Sequence, residues 1–213
     1  MKRKAAFISN LFVGAASWGS WLVLVFHLVD SGSFASIGLW SLKYFTVLSN
    51  LLNGTVSLIY AFRLRRGTVS APLQRWKLTG TAAVGLTCWV VLGFLGPIFG
   101  YASMYRGSNL WMHLLLPVIS MAEYVLLDDG FRLPKRDCLF AALAPLCYAA
   151  GYIVNILVNG VGEGPRTNDW YGFLRWGWGA GFGVCGVLLL ITWLTALALN
   201  ALNRRFAKTE KNV

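Results

Sequence analysis

The sequence has few charged residues. Only 13% of its 213 residues are Asp, Glu, Lys or Arg, whereas 57% are apolar. A soluble domain of this length carries about 25% charged residues, so the composition argues against an ordinary soluble protein. A bilayer-spanning helix uses roughly 20 residues, which leaves room for about six or seven spans but none for a separate soluble domain.

Acidic residues are especially scarce, with 8 Asp and Glu against 19 Lys and Arg and a net charge of +11. In a soluble protein such a surplus of positive charge would indicate nucleic-acid binding. Here the basic residues fall in the gaps between apolar runs, where they direct the topology of membrane proteins. The sequence therefore predicts that the protein contacts membrane lipids and does not bind nucleic acid.

Several chemical signatures are missing as well. The four cysteines have no zinc-type spacing, so neither a metal site nor structural disulfides are expected, and no cofactor is predicted. The absence of a Gly-x-Ser-x-Gly elbow excludes a soluble-type α/β-hydrolase. No internal repeat is visible and few charges fall inside the apolar runs, which argues against an ion-coupled transporter.

Six apolar runs are each long enough to cross a bilayer. They lie at about 6–29, 42–62, 78–100, 109–127, 138–159 and 176–202. With the N-terminus inside, most basic residues, Lys77 among them, fall in the inner segments. The sequence thus predicts an all-α integral membrane protein, with one six-helix domain over residues 1–213 and both termini in the cytoplasm.

Prolines and glycines modify these spans. Pro97, Pro117 and Pro145 predict kinks that free backbone carbonyls and widen a cavity within the bundle. Span 6 opens with small residues four positions apart, which predict the close approach of another helix. These residues are Gly177, Gly179, Gly181 and Gly183.

Ionisable side chains inside a membrane are costly and usually face a cavity or a partner. The sequence places four of them within or near its spans: His27, Lys43, His113 and Glu123. Glu123 is expected to make a helix–helix hydrogen bond or an ion pair on the inner side, since it lies ten residues, about 15 Å, from His113.

Span 2 carries a polar stripe at i, i+4, i+7 and i+11, formed by Thr46, Asn50, Asn53 and Ser57. Interhelical hydrogen bonding and a functional site both explain such a stripe. Thr46 and His113 each lie about four residues from the outer end of their spans. A hydroxyl and an imidazole at one depth suit a nucleophile and its general base.

Three segments carry a resemblance to a known family: Ser41-Leu-Lys-Tyr-Phe-Thr46, Asn109-Leu-Trp-Met-His113, and Asp169-Trp-Tyr-Gly-Phe-Leu174. In order and spacing they resemble the androgen-induced gene family of multi-span proteins, which includes the androgen-dependent regulator of tissue factor pathway inhibitor. The resemblance covers nearly the whole chain. Animal members are intramembrane threonine hydrolases that cleave fatty acid esters of hydroxy fatty acids.

This resemblance implies that Thr46 is the nucleophile and His113 its base in an intramembrane lipid ester hydrolase. It also implies a multi-pass protein of the bacterial cytoplasmic membrane, because the bacterial relatives of the family are membrane proteins. Candidates for binding the substrate or its oxyanion are Asn50, Lys43, Tyr171, Asn53, His27 and Asn155. Asn155 belongs to a polar face of span 5, together with Tyr148, Tyr152 and Asn159, that is expected to line the substrate cavity.

Two other functions fit the same residues. A non-catalytic binder or transporter of lipids or small molecules would explain the polar stripes and the kinks without any chemistry. A bis-histidine haem protein would use His27 and His113 as axial ligands. Thr46→Val separates the first alternative from the hydrolase, because only a nucleophile requires the hydroxyl.

Overall fold

The computed structural model describes residues 2–26, 38–128, 132–163 and 167–209, with residues 207–209 described by their backbone alone, and no β-strand occurs among them. Six helices are long and apolar enough to cross a membrane, so the chain is a multi-pass integral membrane protein. The helices are α1 Lys2–Val25, α2 Phe45–Arg66, α3 Ala71–Phe99, α4 Ser108–Leu126, α5 Lys135–Asn159 and α6 Gly177–Phe206.

The six predicted spans are all present, but their boundaries differ. Helix α1 begins at Lys2 rather than at 6 and is described to Val25, residues 27–29 of the predicted span lying outside the described residues, and α3 begins at Ala71 rather than at 78. Hydropathy marks the part of a helix that lipid covers, whereas α1 also includes the charged Lys2-Arg-Lys4 segment. Helix α3 has Pro72 in its first turn, a position that suits proline, and then continues through Gln74, Arg75 and Lys77, whose polarity lowers the hydropathy of this segment.

The remaining spans differ by smaller amounts. Helix α2 begins at Phe45 rather than 42, because Gly38–Lys43 forms a separate 3-10 turn. Spans predicted at 109–127 and 138–159 are found at Ser108–Leu126 and Lys135–Asn159. The last helix continues beyond 202 to Thr209. Below, the outer end of the bundle is the end at which α2 begins, and the inner end is the end at which α2 finishes.

The backbone departs from α-helical geometry next to each of the three prolines. A π-helical turn, Val91–Leu95, precedes Pro97, and a second, Trp111–Leu115, precedes Pro117. A 3-10 stretch, Lys135–Ala142, precedes Pro145. Because proline lacks an N–H and clashes with the carbonyl four residues earlier, the helix adopts a different hydrogen-bond pattern there.

Close helix contacts occur between α1 and α2. A Cβ placed on Gly54 would lie 2.6 Å from the Cβ of Ser17, and one placed on Gly14 would lie 2.4 Å from Cγ of Leu58. Glycine at both positions lets the two backbones approach closely, as in other membrane helix pairs. The pair therefore forms a tightly packed side of the bundle.

The predicted close helix packing at the start of span 6 is wrong for the described residues. A Cβ added at Gly177, Gly179 or Gly183 would meet nothing within 4 Å. At Gly181 it would meet Leu174 and Phe173, which belong to the loop before α6 rather than to another helix. The small residues thus leave the outer half of α6 loosely packed.

The inner half of the bundle contains a buried ion pair. Lys77 Nζ lies 2.9 Å from Glu123 Oε2, and the two side chains are 0% and 1% exposed. Lys77 also donates to Asn10 Oδ1 at 2.5 Å and to Ser57 Oγ at 3.0 Å, while Asn10 donates to Glu123 Oε1 at 2.6 Å. The predicted pairing of Glu123 is confirmed, and the placement of Lys77 in a basic inner loop is wrong.

A second buried carboxylate lies at the same end. Asp128 accepts hydrogen bonds from Tyr60 Oη at 2.5 Å and from the amide of Gln74. The Asn203 side chain of α6 donates to the backbone carbonyls of Asp128, at 2.7 Å, and Tyr124, at 2.8 Å. These bonds join α2, α3, α4 and α6, so the inner half is closed by a polar network.

Candidate functional site

The outer half encloses a cavity of about 670 Å³ between α2, α3, α5, α6 and the loop that precedes α6. This volume falls in the range of about 300–1,000 Å³ that is usual for small-molecule sites. Its wall is mainly apolar and aromatic. The wall includes Phe45, Thr46, Thr87, Trp89, Val91, Phe94, Tyr148, Tyr152, Tyr171, Phe173, Val187 and Ile191.

One side of this cavity opens through the surface of the bundle. Trp89, Phe94 and Val187 all line the cavity and are nonetheless 46%, 59% and 55% exposed. Phe94 belongs to the π-helical turn before Pro97, and Val187 to the loosely packed outer half of α6. A membrane-spanning bundle meets hydrocarbon at this surface, so an acyl chain can enter the cavity sideways from the bilayer.

Thr46 is the second residue of α2 and part of the cavity wall, with only 9% of its surface exposed. The predicted polar stripe is confirmed as buried, since Asn50, Asn53 and Ser57 are all 0% exposed. Thr87 of α3 also lines the cavity, but its hydroxyl pairs with Ser49 Oγ at 3.3 Å. Two threonines therefore border the same space, and only Thr46 belongs to the stripe.

Asn50 joins the stripe to the helix that carries the histidine. Its Nδ2 donates to the carbonyl of Thr46 at 2.8 Å and to that of Met112 at 3.1 Å. Both amide hydrogens are thereby used, and Oδ1 accepts no hydrogen bond within the described chain. Asn50 thus positions α2 against the π-helical turn of α4, and in this arrangement it has no donor left for an oxyanion.

His113 lies within that π-helical turn and is 4% exposed. Its Nδ1 is 3.0 Å from the backbone carbonyl of Met104, in the short helix that follows Gly100. Because a carbonyl oxygen only accepts, Nδ1 carries the hydrogen and Nε2 keeps its lone pair. This tautomer is the one that a general base requires.

Hydrogen bonds through Asn50 connect Thr46 to the turn that carries His113, but the two residues do not line the same cavity wall. Among the described residues, those that line the cavity include Thr46 and not His113. The two are linked through Asn50, which bonds the carbonyls of Thr46 and of Met112, the residue before the histidine. The equal depth of Thr46 and His113 stays a prediction, because this link passes through a residue one turn further along α2.

The segment Asp169–Leu174 forms a compact turn over the outer end of the cavity. The carboxylate of Asp169 accepts hydrogen bonds from the backbone N–H groups of Phe173, at 2.9 Å, and Leu174, at 3.0 Å. It also accepts a 2.5 Å bond from Tyr152 Oη on α5. One carboxylate therefore both shapes the turn and fastens it to α5.

Tyrosine hydroxyls connect this turn to the start of α2. Tyr171 Oη accepts the backbone N–H of Phe45 at 2.9 Å, next to Thr46. Trp170 Nε1 donates to Tyr148 Oη at 3.0 Å, and Tyr148 Oη donates to the carbonyl of Lys43 at 2.6 Å. Burial raises the pKa of Tyr171, so its phenol remains a protonated donor at neutral pH.

The Lys43 ammonium, another predicted oxyanion donor, is directed at aromatic rings. Its Nζ lies 5.3 Å from the ring centre of Tyr44 and 5.5 Å from that of Trp170. Cation–π contacts of this kind hold a lysine at the membrane interface. Lys43 therefore anchors the turn over the cavity.

Three further candidates lie away from the cavity or outside the described residues. Asn53 donates to Ser120 Oγ at 2.8 Å, deeper in the bundle. Asn155 accepts a 2.9 Å bond from Asn159 and does not line the cavity, whereas Tyr148 and Tyr152 of the same predicted face do. His27 falls outside the described residues, and so does any pairing with His113.

Sequence reasoning missed the group that orients the histidine, because it is a backbone carbonyl and leaves no residue-type signal. A proline signal was nevertheless present: Pro117 stands four residues after His113, where it displaces the helical hydrogen bond of the histidine's own carbonyl. π-helical turns of this type occur frequently at functional sites. Thr87 was missed because it lies in a mainly apolar run.

Comparison of the chain with protein-family models, with curated proteins and with solved structures finds no match. A function is therefore inferred from the cavity and from the side chains around it.

Proposed function

We propose that the protein hydrolyses carboxylic esters of long-chain lipids within the membrane, with Thr46 as nucleophile and His113 as general base. One observation carries this proposal: a buried threonine lines an apolar cavity that opens toward the bilayer, and one asparagine ties it to the turn that holds the histidine. The three segments that resemble the androgen-induced gene family lie at this end of the bundle and agree with the proposal.

The reaction is an acyl transfer in two halves. Thr46 Oγ1 attacks the ester carbonyl carbon while its proton passes to His113 Nε2, directly or through one water. The carbon–oxygen bond to the alcohol breaks, and the alcohol oxygen takes the proton from the imidazolium. Water then attacks the acyl-threonine by the same route, releasing the fatty acid and restoring the Thr46 hydroxyl.

Of the donors that the sequence suggested for the oxyanion, Tyr171 is the best placed. Its hydroxyl lies at the backbone N–H of Phe45, one residue before Thr46, and it borders the cavity. Burial raises the pKa of Tyr171, so the phenol keeps its proton, which is hydrogen-bonded to the neighbouring Tyr148 hydroxyl. It stabilises the developing charge once this O–H turns from Tyr148 toward the ester. Asn50 and Lys43 serve as positioning residues.

The substrate class follows from the cavity and from the family resemblance. An apolar cavity that opens sideways into hydrocarbon accepts molecules that already lie in the bilayer, such as fatty acid esters of hydroxy fatty acids. The bacterial cytoplasmic membrane is the location that the resemblance to bacterial members implies. The Thr46 cavity would then be used by lipids that diffuse in that membrane.

One observation favours a second function, the non-catalytic binding of a lipid or another small molecule. The cavity wall contains Thr46, whereas His113 is not among the described residues that line it. A binder needs only the cavity and tolerates loss of the Thr46 hydroxyl.

The test is the hydrolysis of a fatty acid ester of a hydroxy fatty acid by the detergent-purified protein. We expect Thr46→Val and His113→Asn to lower kcat by about 10²–10⁴-fold, and Thr46→Ser to retain part of the activity. Asn at position 113 keeps a donor for the Met104 carbonyl but removes the base. Thr55→Val, the same change at an exposed position of α2, controls for the loss of a threonine hydroxyl that makes an interhelical hydrogen bond, since Thr55 Oγ1 accepts from Trp18 Nε1 at 3.2 Å.

Either of two results would overturn the hydrolase. The first is an inert wild-type protein that still binds the ester, which favours the binder. The second is full activity in Thr46→Val. Loss of activity in Thr87→Val with retention in Thr46→Val would move the nucleophile to α3.

A further inference from the structure

A second apolar space lies below the Thr46 cavity, on the side of the bundle formed by α4 and α6. It is a groove of about 630 Å³ that extends from Trp89 and Ile191 to Leu202 near the inner end. Trp89 and Ile191 also line the Thr46 cavity. These two side chains therefore border both spaces, and the groove runs from them toward the inner end of the bundle.

One face of α6 forms a wall of this groove over its whole length. Ile191, Leu194, Ala198 and Leu202 recur at helical spacing and span eleven residues, which is about 16 Å along the helix. Half of a hydrocarbon core that is about 30 Å thick has nearly this length. The groove is thus long enough to hold the distal half of a long acyl chain.

The opposite wall belongs to α4, where Met121, Ala122 and Val125 line the groove. At its floor a Cβ on Gly85 of α3 would lie 3.2 Å from Met121 Sδ and 3.1 Å from the Cγ2 of Thr195. The Thr195 hydroxyl is satisfied within α6 by the carbonyl of Ile191, at 2.8 Å. The groove therefore offers no free hydroxyl from Thr195 and suits a hydrocarbon chain.

We propose that this groove binds the distal half of the acyl chain of the ester whose carbonyl is attacked by Thr46, so that the enzyme prefers long acyl chains. The inference rests on the proposed hydrolase function. The acyl arm is transferred to Thr46 in the first half of the reaction and is released only in the second, whereas the alcohol leaves after the first, so the acyl arm profits most from a binding site beyond the cavity. Esters with short acyl chains fill the cavity alone and do not reach beyond Trp89 and Ile191.

An acyl chain that enters the groove leaves the hydrocarbon of the bilayer rather than water, so its transfer gains no hydrophobic free energy. The preference for one chain length therefore depends on the shape of the groove. A side chain that fills the groove should therefore exclude long chains and leave short ones unaffected. Ala198 and Ala122 face the groove from its two walls, and both are exposed. A larger residue can be added at either position without displacing buried neighbours.

The test compares kcat/KM for p-nitrophenyl palmitate and p-nitrophenyl butyrate in the purified protein. We expect Ala198→Trp and Ala122→Trp each to lower the palmitate-to-butyrate ratio by at least about tenfold, with the butyrate value kept. Ala201→Trp is the matched control, because Ala201 is exposed on α6 and is not part of the groove. Its ratio should equal that of the wild type.

The outcomes separate this inference from the function on which it rests. If neither ester is cleaved in a Thr46-dependent way, the hydrolase proposal fails and the groove proposal fails with it. If Thr46-dependent cleavage persists but both groove variants keep the wild-type ratio, the groove does not hold the acyl chain. The groove is equally excluded as the chain site if Ala201→Trp lowers the ratio as much as Ala198→Trp.

Discussion

The two halves of this bundle are built in opposite ways. The inner half is closed by a buried ion pair, Lys77 with Glu123, whose polar atoms bond to neighbouring helices. The outer half contains a cavity of about 670 Å³, π-helical turns next to two prolines, and glycines of α6, among them Gly177, Gly179 and Gly183, at which an added Cβ would meet no described atom within 4 Å. Stability is thus concentrated at one end, which leaves the other end open for a ligand.

This division explains how a small membrane protein can keep an open site. In hydrocarbon, an unpaired charge is costly, so a paired buried network holds its helices in one register. Asn50 and Asn53 connect the two halves: Asn53 bonds Ser120 toward the inner network, and Asn50 bonds Met112 beside the histidine. Substitutions in the two halves should therefore affect different measurements.

The largest expected effect comes from breaking the inner ion pair. Glu123→Ala leaves the Lys77 ammonium buried without its counter-charge, and we expect a loss of about 3–5 kcal/mol in the free energy of unfolding. Thermal unfolding in detergent measures it. The double variant Lys77→Met with Glu123→Leu should recover most of the loss. Glu163→Ala, at an exposed loop position, is the matched control. An unchanged unfolding temperature in Glu123→Ala would show that the pair does not hold the inner half.

A smaller effect on stability, with a larger one on activity, is expected at the outer turn. Asp169→Ala leaves the N–H groups of Phe173 and Leu174, both only partly buried, without their acceptor, and we expect a loss of about 1–3 kcal/mol in the free energy of unfolding. In Asp169→Ala we expect a large loss of ester hydrolysis together with a small decrease in the unfolding temperature. Asp169→Asn keeps one side-chain oxygen as an acceptor, so its activity and its unfolding temperature should lie between those of the wild type and of Asp169→Ala. Equal activity in all three proteins would contradict the role of this turn in closing the cavity.

The smallest expected effect on stability is at Asn50 and Asn53, the two asparagines that connect the inner and outer halves. Each substitution removes interhelical hydrogen bonds that contribute roughly 0.6–2 kcal/mol in membranes. Asn50→Ala should lower kcat as well as the unfolding temperature, because the turn that carries His113 loses its position. Asn53→Ala should lower the unfolding temperature and leave kcat near that of the wild type. If Asn53→Ala lowered kcat and Asn50→Ala did not, Asn50 would not position the turn that carries His113.

The sequence alone predicts a large part of this architecture. Runs of apolar residues locate all six spans, because a bilayer requires helices of a minimum length. The stripe from Thr46 to Ser57 is read correctly as buried, since helical spacing places its members on one face. Pro97 and Pro117 mark the π-helical turns because proline removes a helical hydrogen bond.

Other features depend on tertiary contacts that no local pattern encodes. Lys77 resembles a loop lysine in the sequence, and only the packing of α1, α2 and α4 places Asn10, Ser57 and Glu123 around its ammonium. The carbonyl of Met104 reaches His113 through a turn between two helices. The glycines of α6 predict close packing by their spacing, but a Cβ added at Gly177, Gly179 or Gly183 would meet no described atom within 4 Å.

The most direct test of the central claim is to identify the residue that forms a covalent bond with an acyl-group mimic. The protein is treated with a long-chain fluorophosphonate, digested, and analysed by mass spectrometry, with His113→Asn treated in parallel. We predict an adduct on Thr46 in the wild type and a much slower reaction in His113→Asn, because the hydroxyl needs its base. An adduct on Thr87, or no adduct in a protein that cleaves esters, would contradict Thr46 as the nucleophile.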